Sequence, residues 1–337
     1  MIKTALQLLF ERCANVGKKF KFFWVLGGAA LLFAFYACRV VLPSPNDPLL
    51  FYSNQTRHNI HSTFSKAITK AQESVYLSFY GISDAKMISL LGKKEKEGLA
   101  LRIEYDPSAS SPLKNQLQSA LPIKTKGLMH RKIAVIDHST VFLGSANFTT
   151  TSLNHHANLI LGFYHPPLAH YLERPFSNEF QFKTGATDGH LFLLPDPSQK
   201  SFTHLLSSIE KASDSIQVAM FTLTHPILVD ALIAAKKRGV NISVAIDYYT
   251  ARGASKKSID KLLKEGITCY YSQGKELLHY KWALIDGSCF IMGSANWTTA
   301  AFNRNQDFLL FLTPLSSKHK QFIDRLWDII ITEAQKK

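Results

Sequence analysis

The chain has 337 residues and carries 39 Lys+Arg against 25 Asp+Glu, a formal net charge of +14. Its 46% hydrophobic and 19% charged residues exclude a disordered or low-complexity protein, and its four cysteines are too few for a disulfide scaffold. The length exceeds what one hydrophobic core usually fills, so two domains or two fused halves are expected; the basic surplus points to an anionic partner, whether nucleic acid, anionic lipid or a phosphate substrate.

The surplus is uneven. Residues 1–42 hold six cations (Lys3, Arg12, Lys18, Lys19, Lys21, Arg39) against Glu11, a net of +5, which leaves +9 for the rest. Phe22 to Cys38 is free of charge, near the lower limit of a membrane-spanning helix, and Val40 to Leu42 extend it if Arg39 snorkels. We expect a basic cytoplasmic segment (1–21), a single transmembrane signal-anchor (22–42) and a Pro-rich linker (43–48). The positive-inside rule then places the remainder on the non-cytoplasmic side. The rival reading is a cleaved signal peptide and a secreted protein. Beyond the anchor the thiols are Cys269 and Cys289, both in apolar strand-like runs. Buried free thiols are expected, with a bridge as the alternative in an oxidising compartment.

An internal repeat follows. Ser74–Tyr80 parallels Ser215–Phe221, and Gly98–Asp106 parallels Gly239–Asp247, both at an offset of 141; His130-Arg-Lys132 parallels His279-Tyr-Lys281 at 149. Each copy reads as a helix (58–72; 201–213), an apolar strand, an amphipathic helix (226–237 in the second copy, with Pro226 at its first position), and a strand ending in Asp. A variable helical stretch, two short strands (133–136 and 141–143 in the first copy), a last strand (159–163; 308–312) and a closing helix complete it. Strands alternating with helices predict an α/β fold: two pseudo-symmetric α/β/α lobes, 49–185 and 186–337, sharing one site at their interface.

The chemistry-bearing signal is duplicated. His130-x-Lys132-x4-Asp137-x6-Gly144-Ser145-x-Asn147 recurs as His279-x-Lys281-x4-Asp286-x6-Gly293-Ser294-x-Asn296. His and Lys two apart on a strand share a face. A buried strand, a turn at the Asp and a returning strand bring Gly-Ser-x-Asn beside them, with the glycine read as permitting a bend. Facing copies give two imidazoles and two ammonium groups around one volume. That set suits phosphodiester cleavage: Lys132, Lys281, Asn147 and Asn296 hold phosphate oxygens, one histidine attacks phosphorus, and the other protonates the leaving alcohol and then activates water. Asp137 and Asp286 sit in turns and are expected to orient or ion-pair within the catalytic set. Ser145 and Ser294 either bind phosphate or stabilise the bend, with binding preferred. Tyr80, Phe221, Tyr280 and Trp297 either line a groove or fill the core. The adjacent pair His155-His156 lacks ligand spacing and reads as a loop; no metal and no cofactor is expected.

These residues resemble the signature of the phospholipase D superfamily, complete in both copies, and the likeness extends over 49–335. The resemblance implies a bilobal α/β fold with its site at the lobe interface and a two-step, metal-independent mechanism through a covalent phosphohistidine. Members often carry an acid about eleven residues after the motif Asn that orients the motif His. Here the second copy has Asp307 and the first has Asn158, which implies that Asp307 holds His279 as the protonated general acid and leaves His130 as the neutral nucleophile. The expected activity is hydrolysis of phospholipid head groups at a membrane. The alternatives are a nuclease acting on DNA or RNA and a cardiolipin-synthase-like phosphatidyltransferase. A monomer suffices to form the site.

Overall fold

A computed structural model describes residues 40–337 other than 111–112, 274–275 and 337. The expected cytoplasmic segment and almost all of the expected anchor lie outside the described residues. Among those described, no helix is long and apolar enough to cross a membrane.

The first sheet contains β1 (Leu49–Tyr52), β2 (Ser74–Phe79), β3 (Ala100–Tyr105), β4 (Ala120–Pro122), β5 (Lys132–Ile136), β6 (Thr140–Gly144) and β7 (Ile160–Tyr164), in the order β1-β7-β6-β5-β2-β3-β4. The second contains β8 (Glu179–Thr184), β9 (Thr187–Leu193), β10 (Ser215–Met220), β11 (Asn241–Ile246), β12 (Thr268–Ser272), β13 (Lys281–Ile285), β14 (Cys289–Gly293), β15 (Phe308–Thr313) and β16 (Ala334–Lys336), in the order β16-β12-β11-β10-β13-β14-β15-β9-β8. The repeat is thus visible as β7-β6-β5-β2-β3 against β15-β14-β13-β10-β11. In the two sheets β2–β3 and β10–β11 are parallel pairs, each joined by a helix (Ala85–Lys96; Pro226–Lys237), and the motif strands β5 and β13 pair antiparallel with β2 and β10. Asp84 caps the first crossover helix by accepting from the Met87 N–H, and Pro226 opens the second, as expected for a residue without a donor.

The period-2 alternation of the strands explains the layering. On β5 and β13, Ile133, Val135, Trp282 and Leu284 enter a central core built from the facing sides of both sheets. Ala134 and Ile136 enter an outer core under Ile60–Lys70 and Ala85–Lys96, while Ala283 and Ile285 enter another under Lys200–Lys211 and Pro226–Lys237. Strands buried on both faces read as unbroken apolar runs. This is the expected α/β class with two related lobes, yet the two sheets share a core, so residues 42–337 form one compact unit.

Two boundaries differ from the sequence reading, and the expected free thiols are found. β8 pairs with β9 in the second sheet, so the expected division at 185/186 falls inside a hairpin. Residues 43–48, expected as a linker, include a tight turn in which Ser44 and Asp47 exchange backbone hydrogen bonds and Asp47 meets Lys318 at 2.7 Å. Cys269 on β12 and Cys289 on β14 are free thiols in strands that three others separate. Burial pushes them up to about 12 and about 11, as expected of inert packed thiols.

Candidate active site at the junction of the two halves

Lys132 opens β5 and Lys281 opens β13, each with its histidine two residues earlier on the extended segment leading into the strand. Those segments cross the pseudo-two-fold. Met129 bridges to Gln306 and Leu278 to Ala157, in parallel; the His130 N–H donates to the Gln306 carbonyl at 2.7 Å and the His279 N–H to that of Ala157 at 2.9 Å. Each half therefore anchors the histidine of the other.

This crossing overturns the expected partnership. Asp307 lies 2.8 Å from Nδ1 of His130, and Asn158 lies 3.1 Å from Nδ1 of His279. The acid serves the histidine of the opposite half because the strand that follows Gly-Ser-x-Asn pairs with the incoming segment of the other copy. The tautomers follow from the partners. The Asn158 amide nitrogen donates to the Ser152 carbonyl, so its oxygen faces His279 and accepts the Nδ1 proton. Asp307 accepts from His130 in the same way. In both rings Nε2 remains as the free nitrogen.

The four groups are nearly sealed from solvent: His130 and His279 are each 7% exposed, Lys132 1% and Lys281 2%. Each ammonium donates to the carbonyl of its own histidine, at 2.6 Å for Lys132 and 2.8 Å for Lys281. Lys132 lies over the Tyr80 ring and Lys281 over the Phe221 ring, at 5.4 and 4.9 Å, and those rings also pack on the histidines. Tyr80 and Phe221 are thus the site aromatics, whereas Tyr280 and Trp297 are core side chains.

Burial of like charges sets the electrostatics. Burial lowers Lys132 to about 7 despite the opposing pull of Asp307. Burial, then repulsion from Lys132, drives Lys281 well below its ordinary value. His279 is pushed well down by burial and then by Lys281, Lys132 and His130. His130 is lowered by burial and by Lys132, with Asp307 opposing. Burial would raise Asp307, but His130, Lys132 and Ser294 outweigh it and hold the carboxyl ionised. The pair is therefore a carboxylate accepting from a neutral imidazole, inside a cluster where buried carboxylate charge only partly offsets the burial of two lysines.

The remaining predicted residues divide. Ser145 donates to the Asn158 oxygen at 2.8 Å and Ser294 to Asp307 at 2.6 Å, so both serines orient the histidine partners, a use other than the preferred phosphate binding. Asn147 and Asn296 each hold a buried side-chain oxygen without a partner, matched across the pseudo-two-fold. Asp137 and Asp286 are not brought into the site. They follow the far ends of β5 and β13, roughly 16 Å along the strand from the lysines at 3.3 Å per residue. Both adopt φ of +49°, and neither is in an ion pair among the described residues. The Asp137 carboxylate accepts from the N–H groups of Gln72, Glu73 and Ser74; that of Asp286 accepts from Ser213, Asp214 and Ser215. They pin the start of β2 and β10. The motif glycines also act otherwise than expected, since neither has positive φ. A Cβ on Gly293 would lie 2.2 Å from the Phe308 carbonyl, and one on Gly144 would lie 2.7 Å from that of Leu159, so a close backbone approach demands glycine.

Sequence reading missed Asp106 and Asp247. At the ends of β3 and β11 they accept from the N–H groups of Met129 and Leu278 and so hold the segments that carry the histidines. The signal was present, because both repeats end that strand in Asp. His155 and His156 do lie in a turn, and the His156 ring stands 6.2 Å from that of His279.

Comparison with known proteins supplies the family. The family model described as "Cardiolipin synthase, PLD-like domain" matches residues 64–180 and 205–327. The mitochondrial cardiolipin hydrolase of Xenopus laevis is 30% identical over 135 residues, 39% of this chain and 63% of that protein. A probable cardiolipin synthase of Bacillus subtilis is 23% identical over 300 residues, 74% of this chain and 59% of that protein. The chain thus spans less than two thirds of these curated relatives. Among solved structures, phosphatidylserine synthase of Haemophilus influenzae Rd KW20 superposes with a TM-score of 0.71 at 11% identity, over 88% of this chain and 89% of that one, a likeness of fold. With both motif copies brought together and the family matched across both halves, the chain belongs to the phospholipase D superfamily.

Proposed function

We propose that the protein is a phosphodiesterase of phospholipase D type that cleaves phospholipid head groups through a phosphohistidine on His130, with the cations supplied by its own lysines. One observation carries this reading: two buried imidazoles and two buried ammonium groups, contributed equally by the two halves, with a carboxylate behind one imidazole only. A phosphodiester anion adds negative charge beside both lysines. It favours the ammonium form of both lysines and the imidazolium form of His279.

In the first step His130 Nε2 attacks phosphorus while the P–O bond to the leaving group breaks and His279 gives that oxygen its proton. The His130 ring becomes cationic, and Asp307 stabilises it through Nδ1–H. Lys132 and Lys281 hold the non-bridging oxygens, with Asn147 and Asn296 beside them. In the second step neutral His279 takes a proton from water, the resulting oxygen nucleophile attacks phosphorus, and the P–N bond breaks. An alcohol in place of water makes the same step a transfer. The role of nucleophile thus stays with His130, as expected from sequence, but the reason is reversed: the carboxylate supports the ring that must become positive.

The cardiolipin-related names of the relatives favour lipid. The basic balance of residues 43–337 favours the second reading, a nuclease. Incubating the full chain in detergent and EDTA with labelled phosphatidylcholine or cardiolipin, and separately with single-stranded DNA, decides between them. Release of head group supports the proposal, cleavage of DNA alone replaces it with the nuclease, and turnover lost in EDTA removes the metal-independent mechanism. Expected placement at a membrane, with the catalytic part on the non-cytoplasmic side, is part of the same proposal.

A further inference from the structure

The pseudo-symmetry exposes a mismatch beside the site. Residue 131 follows His130, and its counterpart in the second copy is Tyr280. Alternation turns both away from the lysines, toward the central core between the sheets. Tyr280 is fully buried there, and its hydroxyl lies within hydrogen-bond distance of Ser53 (2.9 Å) and Gln55 (2.8 Å). The first copy instead places a guanidinium at that position. Arg131 makes no side-chain hydrogen bond or ion pair among the described residues, and its Nε is buried without a partner. It lines a cavity of about 440 Å³, together with Phe176, Asn178, Leu193, Pro195 and Gln306. Phe176 is 76% exposed there.

An unpartnered donor on a permanent cation is costly, and although Nε itself is sealed, the other guanidinium nitrogens are neither bonded nor sealed and Arg131 lines the cavity, which leaves room there for an acceptor. We infer that this cavity binds a phosphorylated small molecule, with the phosphate on Arg131 and the apolar or flat part of the ligand between Phe176 and the Leu193–Pro195 turn. The amides of Asn178 and Gln306 supply further polar contacts. This site is distinct from the catalytic cluster, which lies on the other side of the same segment.

The test is calorimetric titration of the full chain in detergent with inorganic phosphate and with adenosine 5′-monophosphate. The Lys281→Met variant is used to remove anion binding at the catalytic cluster. Either probe is expected to bind that variant, and adding Arg131→Gln weakens binding at least tenfold; Phe176→Ala weakens adenosine 5′-monophosphate several-fold more than phosphate. Should Arg131→Gln fail to fold, the exposed Phe176→Ala and an Asn178→Ala change carry the test. Binding of neither probe to Lys281→Met, or binding indifferent to Arg131, Phe176 and Asn178, overturns the inference. Turnover is not the readout, so loss of the phosphodiesterase reading leaves this one standing.

Discussion

Replacing Asp307 by Asn removes one charge and little volume, which makes it a sharp probe of the crossed partnership. The variant can still accept from Ser294 and from His130, so packing at this fully buried position is kept. What is lost is a charge-assisted hydrogen bond of 2.8 Å to the ring that becomes cationic on attack. Hydrogen bonds to charged groups contribute about 1.5–3 kcal/mol. At about 1.4 kcal/mol per factor of ten, kcat falls roughly 10- to 150-fold. Turnover of bis(4-nitrophenyl) phosphate by the full chain in detergent measures this, with thermal unfolding as the control for integrity. Asn158→Asp, which puts a carboxylate behind His279 instead, is not expected to rescue Asp307→Asn, because the anion then stabilises the wrong ring. A loss under threefold in Asp307→Asn, or full recovery in the double variant, would refute the reasoning.

Other outcomes follow from the same geometry. Asp137→Asn loses charge at a carboxylate that accepts three backbone N–H groups, so stability falls by about 1–3 kcal/mol in urea unfolding, while kcat well below the melting temperature stays within about threefold. Burial alone would raise Asp286, but the N–H groups of Ser215, Asp214 and Ser213 hold it below the ordinary carboxylate value. Its contribution to stability is therefore present above the unfolded pKa of about 3.9 and is lost as pH falls through the folded value; Asp286→Asn flattens that part of the stability–pH curve. Gly293→Ala forces a methyl against the Phe308 carbonyl, and overpacking of this kind lowers stability by at least about 1–3 kcal/mol, measured by thermal unfolding. With Lys132 lowered to about 7 and Lys281 lower than its ordinary value, inorganic phosphate entering the catalytic cluster at pH 7.5 draws in protons. Calorimetry in buffers of different ionisation enthalpy reads this as net uptake; release would contradict it.

The duplicated motif made the core of the site legible, because the chemistry requires the same residue types from each copy and their spacing is local. The lobes and most strands were legible too, since buried strands leave unbroken apolar runs. The partnership of Asp307 with His130 was not, for it joins residues 177 apart beside a bridge between Met129 and Gln306 that no local spacing encodes. Asp137 and Asp286 look catalytic by their fixed distance from the lysines, yet that distance reports the length of β5 and β13 and the hairpin turn after them. The glycine requirement at 144 and 293 arises from neighbouring backbone and is likewise tertiary. β9 pairs with β15 as β1 pairs with β7, but β8 has no counterpart among the described residues of the first copy, so the repeat could not announce the β8–β9 hairpin.

The central claim is that one chain uses His130 as nucleophile and His279 as acid across the junction of its halves. Mixing the full chain with a slowly turned-over phosphodiester, quenching under alkaline conditions that preserve phosphohistidine, and mapping the adduct by mass spectrometry tests it directly. The adduct is expected on His130, accumulating in His279→Asn when the substrate carries a good leaving group and absent in His130→Ala. An adduct on His279, or catalysis by His130→Ala at the wild-type rate, would contradict the account.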